Sequence, residues 1–251
     1  MLADIDIEAR RSDLRPAATH LARLLAGVAP ALRPAAWQDG LDLLAVAAGL
    51  KPVGLLGRGV PDAVWLAAAE ALARTLQLSA LTGACWHPAP RDQAFPDWYR
   101  AAIAERDART TALYVWRDDA DGAGVRRLCA DRRVAPEDEA ALLGYPACCV
   151  AQHHAQALAL EHLTVALVTR LAGDDIAHRQ RLVARDVVPT PHSELEWRQL
   201  EAASAIAPQP YTSVNRCAAC ASDPNRPAGR LGRRYRELAR RLDYPPLATV
   251  H

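Results

Sequence analysis

The sequence predicts an α+β fold that is predominantly helical and contains a small β-sheet. Three observations lead to this prediction. Apolar residues recur every three or four positions over most of the chain, as they do in amphipathic helices. One segment, TALYVW at residues 111–116, has the β-branched and aromatic composition of a strand. The 251 residues are 51% hydrophobic and 24% charged, which is enough to bury a core without disulfides or a structural metal.

Several segments have the apolar period of a helix, and turn or capping residues bound most of them. We expect Pro34 to end the first helix, Pro61 to begin the third and Gly173 to end the fifth. Ser193 and Glu196 form a capping box at the start of the sixth. The predicted helices cover residues 14–32, 37–48, 62–76, 136–143, 147–171, 193–204 and 228–242.

The predicted sheet is short. Residues 53–56, VGLL, are a second candidate strand, and a partner for residues 111–116 is expected at residues 125–129, after a turn at residues 117–122. Residues 81–98 are rich in proline, tryptophan and histidine and show no period, so we expect a loop and a boundary there. The chain therefore divides into a helical N-terminal region, residues 1–80, and an α+β region, residues 81–251, that carries all six cysteines.

The formal net charge of +1 gives no reason to expect a nucleic acid or an acidic membrane as partner. The first residues lack the order of a secretory signal, and no run of about 18 apolar residues predicts a membrane span. We therefore expect a cytoplasmic protein, in which six cysteines indicate metal ligands or redox thiols. The glycine-loop motifs GxxxxGK[ST] and GxGxxG and the nucleophile motif GxSxG are absent.

Two pairs of cysteines stand out. Cys148 and Cys149 follow Pro146 in the first turn of a predicted helix, where unpaired amides and the helix dipole favour thiolates. We expect these two to be the most easily ionised thiols of the chain. Cys217 and Cys220 form a CxxC in a downstream loop, a spacing that lets both sulfurs meet at one centre. The sequence predicts that the two pairs share a site.

Four interpretations of these cysteines remain open, namely an iron–sulfur cluster, a zinc ion, thiol–disulfide exchange and no shared site. Successive residues of a helix diverge by about 100° around its axis, which suits a single tetrahedral zinc ion poorly. A four-iron cluster is several ångströms across, so neighbouring cysteines can each reach a separate iron. The spacing therefore favours an iron–sulfur cluster, 4Fe-4S, with zinc as the alternative.

Two further residues are candidates for catalysis at such a centre. His153 follows Cys149 by one helical turn and could supply a proton or a nitrogen ligand, although a solvated helix residue is the simpler interpretation. Arg216 is adjacent to Cys217 and could hold a carboxylate or phosphate of a substrate. By the same helical spacing, His154 and His162 point elsewhere.

The segment LLGYPACCV with a downstream CxxC resembles the signature of an uncharacterised prokaryotic family, a resemblance that implies no activity. The pattern is also similar to the CCG domains of heterodisulfide-reductase-like proteins, which hold four-iron clusters for disulfide redox chemistry. Val150 stands where that family has glycine, and the intervals between the cysteines differ. This second resemblance implies a cluster held by Cys129, Cys148, Cys149, Cys217 and Cys220; from composition alone Cys129 is equally a buried apolar residue.

The function expected from the sequence is that of an iron–sulfur enzyme in redox or sulfur-transfer chemistry. A small anionic substrate or a redox partner would meet the cluster, with His153 as proton donor and Arg216 as anion clamp. Two alternatives belong to other classes. One is a zinc-stabilised binding or scaffold module, and the other is a metal-free thiol–disulfide oxidoreductase.

Overall fold

The computed structural model describes residues 11–57, 60, 62–88, 95–205, 208–209 and 211–245. It confirms a predominantly helical α+β fold. The helices are α1 (Arg11–Gly27), α2 (Arg33–Ala47), α3 (Ala63–Thr75), α4 (Asp97–Ala108), α5 (Asp119–Asp131), α6 (Pro136–Leu143), α7 (Ala147–Ala172), α8 (Ile176–Ala184), α9 (Glu194–Ser204), α10 (Ala218–Ser222) and α11 (Pro227–Arg241). The strands are β1 (Val53–Leu56), β2 (Ser79–Ala84), β3 (His87–Pro88), β4 (Thr111–Trp116), β5 (Arg133–Val134), β6 (Pro208–Gln209) and β7 (Thr212–Asn215).

The main sheet has the order β1-β4-β2, and β4 is antiparallel to both neighbours. Its register pairs Trp116 with Val53 on one side and with Ser79 on the other. β1 lies before residue 80 and β4 after it, so one sheet joins the two regions that the sequence distinguishes. The division of the chain at residue 80 stays a prediction.

β4 is buried on both faces because helices cover each side of the sheet. Leu113 and Val115 pack into the larger core with α2 and α3. Tyr114 and Trp116, which alternate with them, pack into a second core with α5. The period of two thus divides one strand between two cores, and this explains why TALYVW is apolar at nearly every position.

The C-terminal helix returns to the N-terminal helices. The apolar face of α11 contributes Tyr235 and Leu238 to the larger core, while its arginines face outward. Tyr244, just beyond α11, stacks on Trp37 of α2 with ring centroids 5.7 Å apart. Because β7 packs against both α2 and α7, the segment that carries the CxxC is held next to the start of α7.

The structure corrects several predicted elements. Pro34 lies in the first turn of α2 instead of ending α1, since that position needs no amide donor. Residues 125–129 belong to α5 and not to a strand. Asp118, predicted as part of a turn, caps α5 by accepting from the Ala120 amide, and acidic residues of its first turn complement the helix dipole. Pro61 lies outside the described residues.

Further differences concern residues 81–98 and the helices that the apolar period did not reveal. Part of the predicted loop forms β2 and β3, and α4 and α8 were not predicted. The capping box of Ser193 and Glu196 is confirmed, as are strands β1 and β4. None of the helices within the described residues has both the length and the apolar character required to cross a bilayer.

Replacing Leu113 by alanine tests the central position of β4. Its side chain is 1% exposed, so the substitution leaves a cavity in the larger core. We expect the free energy of unfolding in urea to fall by about 2–5 kcal/mol. Thr111→Ala, at an exposed position of the same strand, is the control and should change it by about 0.5 kcal/mol or less. Equal effects of the two substitutions would contradict this description of the core.

Candidate metal centre and adjoining cavity

The structure brings the two cysteine pairs together. The sulfurs of Cys148, Cys149, Cys217 and Cys220 all lie within 4.8 Å of one another. The Cys148 sulfur is 4.0 Å from that of Cys149 and 3.7 Å from that of Cys220. These separations are far longer than a disulfide bond, and all four cysteines are free. We call these residues the four-cysteine site; they could hold a metal ion.

The start of α7 positions the first pair. Pro146 is extended and precedes the helix, which places Cys148 and Cys149 in the first turn. Their sulfurs nevertheless lie only 4.0 Å apart. The expectation that adjacent helical cysteines suit one tetrahedral ion poorly stays a prediction. The 100° step separates the Cβ atoms, whereas rotation about the Cα–Cβ bond lets the sulfurs approach each other.

A short helix positions the second pair. Cys217 precedes α10 in an extended conformation, and Cys220 lies within that helix. The amide of Cys217 donates to the Cys149 sulfur at 3.4 Å, which joins the CxxC directly to α7. Gln152 of α7 adds a second link, because its side-chain oxygen accepts from the Ala218 amide at 3.2 Å. The backbone of the loop is thereby aligned with the first turns of α7.

Cys149, Cys217 and Cys220 are buried, whereas Cys148 is exposed. Burial raises the pKa of the Cys149 thiol well above its usual range, and burial with the neighbouring thiols also raises the pKa of Cys148. Burial opposes ionisation of Cys217 as well, but hydrogen bonds from the Cys220 amide and the neighbouring thiols lower its pKa. The prediction that Cys148 and Cys149 are the most easily ionised is therefore wrong, because desolvation by burial is the main cause that raises the pKa of each thiol.

The two predicted catalytic residues lie at different places around the site. His153 is partly buried and lines a cavity that Cys149 also lines. Arg216 is partly buried between β7 and Cys217. Neither belongs to the group of four sulfurs, and the roles of both as proton donor and anion clamp stay predictions. Cys129 packs in the second core, near Gly83, and is not part of the four-cysteine site.

The cavity has a volume of 250 Å³ and adjoins the four-cysteine site through Cys149. Much of its wall is apolar, and its lining residues come from α2, β1, α6, α7 and β7 and from the α6–α7 turn. Its polar side chains include two carboxylates, two hydroxyls, two amides and an imidazole. They belong to Asp39, Glu139, Tyr145, Ser213, Gln38, Asn215 and His153.

A buried ion pair lies behind Tyr145. The Lys51 ammonium is 2.5 Å from the Asp42 carboxylate, and the two side chains are 1% and 4% exposed. Lys51 also donates to the Tyr145 hydroxyl at 2.7 Å, and that hydroxyl shares a short hydrogen bond with Ser213 of β7. Burial disfavours the ammonium, but Asp42 and Tyr145 together raise the pKa of Lys51 above its usual value, so it remains charged.

Sequence reasoning missed this network of Lys51, Asp42, Tyr145 and Ser213. Its one signal is that Lys51 is the single lysine among 30 basic residues and lies between apolar segments. The partners come from α2, the α6–α7 turn and β7, which are remote in sequence. No local pattern links them.

Asp39 is a second carboxylate at the cavity. One of its oxygens accepts from the Gly57 amide at 2.8 Å and from the Trp65 indole at 3.3 Å. Both donors are neutral. Desolvation raises the pKa of the Asp39 carboxyl to about 7, and the nearby Asp42 contributes in the same direction. Asp39 therefore carries a charge that the fold stabilises poorly.

Glu139 at the same cavity is held by two donors. Its carboxylate lies 2.5 Å from Nε2 of His154, and Trp86 donates to its other oxygen at 3.3 Å. His154 is thus directed to Glu139 and is not among the residues grouped around the sulfurs, as its helical spacing predicts. His162 contacts Phe95 instead, with ring centroids 4.6 Å apart.

The fold and the site define the class: a predominantly helical α+β protein with four clustered cysteines that could bind a metal ion. Comparison of the chain with family models, with curated proteins and with solved structures finds no match. The resemblance of LLGYPACCV and the downstream CxxC to a family signature accordingly stays a prediction.

Substitution of Lys51 tests the buried ion pair. Lys51→Met leaves the Asp42 carboxylate buried without its cation, so we expect the free energy of unfolding to fall by about 3–5 kcal/mol. Adding Asp42→Asn to this variant removes the uncompensated charge and should restore part of the loss. Urea denaturation of the two single variants and the double variant measures the coupling.

The control for this double-mutant experiment is an exposed ion pair. Arg15 lies 2.8 Å from Asp243, and the two side chains are 46% and 72% exposed. Arg15→Met should cost about 1 kcal/mol or less, because solvent screens such a pair. If additive effects of the Lys51 and Asp42 substitutions were observed, the two groups would not be coupled as described.

Asp39 should make stability depend on pH. The Asp39 pKa is about 7 in the folded protein, against about 4 in an unfolded chain. Between these values the folded state binds a proton that the unfolded state releases, so stability falls as pH rises to about 7 and then levels off. Asp39→Asn keeps an oxygen that accepts from the Gly57 amide, but it has no carboxyl to titrate, so its stability should not show this decrease with pH.

Denaturation at pH 5 and pH 8 measures the effect. From pH 5 to pH 8, the free energy of unfolding of Asp39→Asn should rise by about 2 kcal/mol relative to that of wild type. Asp138→Asn replaces an exposed carboxylate of α6, and its free energy of unfolding should change with pH as that of wild type does. A constant difference between Asp39→Asn and wild type would show that Asp39 is ionised throughout.

Proposed function

We propose that Cys148, Cys149, Cys217 and Cys220 bind a single zinc ion, and that the protein is a zinc-stabilised binding module. The observation that carries this proposal is the spacing of the sulfurs. Zinc–sulfur bonds of about 2.3 Å in a tetrahedron place the sulfurs about 3.8 Å apart. The separations of 3.7 and 4.0 Å agree with that geometry, as does the limit of 4.8 Å for the whole set.

The same distances weigh against the iron–sulfur cluster favoured by the sequence. The cysteine sulfurs of a four-iron cluster surround an inorganic cube and stand on the order of 6 Å apart. The four-cysteine site would have to expand to admit that cube, whereas a single ion fits between the sulfurs as they stand. Redox and sulfur-transfer chemistry at a cluster is therefore the second candidate, favoured by the exposed Cys148 at the edge of the site.

Zinc would supply the charge that this arrangement lacks. Four thiols in contact offer one another only weak hydrogen bonds, and four thiolates repel. A divalent cation favours the thiolates and links the start of α7 to the segment that leads through α10 into α11. Val214, Ala228 and the buried sulfurs form a small apolar core beneath the site, which limits access of water to it from that side. The centre would thus fix the C-terminal segment against the long helix.

Metal analysis of the purified protein tests the proposal. We expect about one zinc ion per chain and no visible absorption, because zinc in a thiolate site is colourless. Cys220→Ser removes a fully buried ligand and should lower zinc affinity by at least about tenfold, with a lower free energy of unfolding. Cys129→Ser changes a cysteine outside the site and is the matched control, in which zinc content stays at the wild-type level.

The alternatives give different results in the same preparation. If protein purified without oxygen contains iron and acid-labile sulfide, the four-cysteine site holds an iron–sulfur cluster and not zinc. A metal-free protein that loses two thiols on mild oxidation would instead indicate thiol–disulfide chemistry. Either result overturns the zinc proposal, as does a zinc content that Cys220→Ser and Cys129→Ser leave equally unchanged.

A further inference from the structure

We propose that the cavity beside the four-cysteine site binds a small organic ammonium compound, with Asp39 as its anionic partner. The cavity is the candidate for a ligand because it combines an apolar wall with polar groups from several elements. This inference goes beyond the zinc proposal and does not depend on it, since Asp39 lies on α2 and none of the four cysteines is required to hold it.

The charge of the lining favours a cation. Within the described residues no ion pair reaches Asp39, and its two hydrogen-bond donors, the Gly57 amide and the Trp65 indole, bind one oxygen and are neutral. The nearby cation is Lys51. It does not pair with Asp39, because its ammonium lies 2.5 Å from Asp42 and donates to Tyr145. The second oxygen of Asp39 is left to accept from a ligand.

The described residues of the wall offer an anion no permanently charged cation, and His153 is their one imidazole. The wall includes no lysine or arginine, and its other carboxylate, Glu139, is joined to His154. The expectation of a small anionic substrate from the sequence depended on Arg216, which does not line the cavity. Desolvation of a carboxylate ligand next to Asp39 and Glu139 would bring like charges together, whereas an ammonium group would pair with Asp39.

Volume and wall chemistry set the size of the ligand. Cavities for drug-sized molecules span about 300–1,000 Å³, so 250 Å³ fits a smaller compound of about a dozen non-hydrogen atoms. Leu55, Leu143 and Val150 present an apolar surface to its body. The hydroxyl of Ser213 can bind a donor or acceptor of the ligand. These features describe a compact apolar amine.

Three probes of nearly the same shape separate charge from size, namely benzylamine, benzyl alcohol and benzoate. Calorimetric titration of the full chain at pH 8 should give a Kd for benzylamine at least about tenfold below that for benzyl alcohol, and no binding of benzoate. Asp39→Asn should bring the Kd values for benzylamine and benzyl alcohol within about threefold of each other. Asp138→Asn should retain the wild-type ratio.

A resonance of the wild-type protein provides a second readout that needs no variant to fold. Trp65 donates its indole N–H to Asp39, so binding of benzylamine should shift the indole resonance of Trp65 in nitrogen-15 NMR spectra. Trp197, which is 45% exposed on α9, is the internal control and should not move. Equal binding of all three probes, or a Trp65 resonance that saturating benzylamine leaves unchanged, would overturn the proposal whatever metal the four-cysteine site holds.

Discussion

The crowding of four sulfurs within 4.8 Å is the constraint on which the C-terminal part of the structure depends. Three of these sulfurs are buried, so water cannot replace the weak hydrogen bonds between thiols. Their ionised forms would repel at this distance, and burial strengthens that repulsion. The proposed cation at the centre would convert this repulsion into attraction toward one point. It would join the start of α7 and the CxxC segment, which are remote in sequence, into a single rigid junction.

The same junction is held from another side by the buried network. Tyr145 lies just before α7, and Ser213 lies in β7 just before the CxxC, so the hydrogen bond between their hydroxyls joins the two segments that the sulfurs also join. Asp42 extends this network to α2, and Lys51 extends it to the segment just before β1. The cavity lies between the two attachments. Its walls are thus fixed by charge and hydrogen bonding as well as by apolar packing.

Local chemistry explains what the sequence could predict. Some features depend only on residues that are close in sequence. These are the two cysteine pairs, Cys148 with Cys149 and Cys217 with Cys220, the capping box of α9 and the strand β4. The sequence predicts a strand at residues 125–129 because aspartate favours both turns and helix caps, whereas in the structure Asp118 caps α5. Contacts between Lys51, Tyr145 and Ser213 have no periodic signature. They arise from the placement of whole elements, which composition does not encode.

Asp39 shows how the junction differs from an ordinary core. The Lys51–Asp42 pair is balanced internally, so it leaves nothing to neutralise a further carboxylate on the same helix. A residue selected only for stability at position 39 would be neutral, because the folded state binds the charge of Asp39 less well than water does. Perturbed groups of this kind concentrate at functional sites, where stability is given up for binding. The two proposals thus share one physical basis: each places a cation beside groups that are anionic when ionised, a metal ion among the sulfurs and an organic ammonium group at the Asp39 carboxylate.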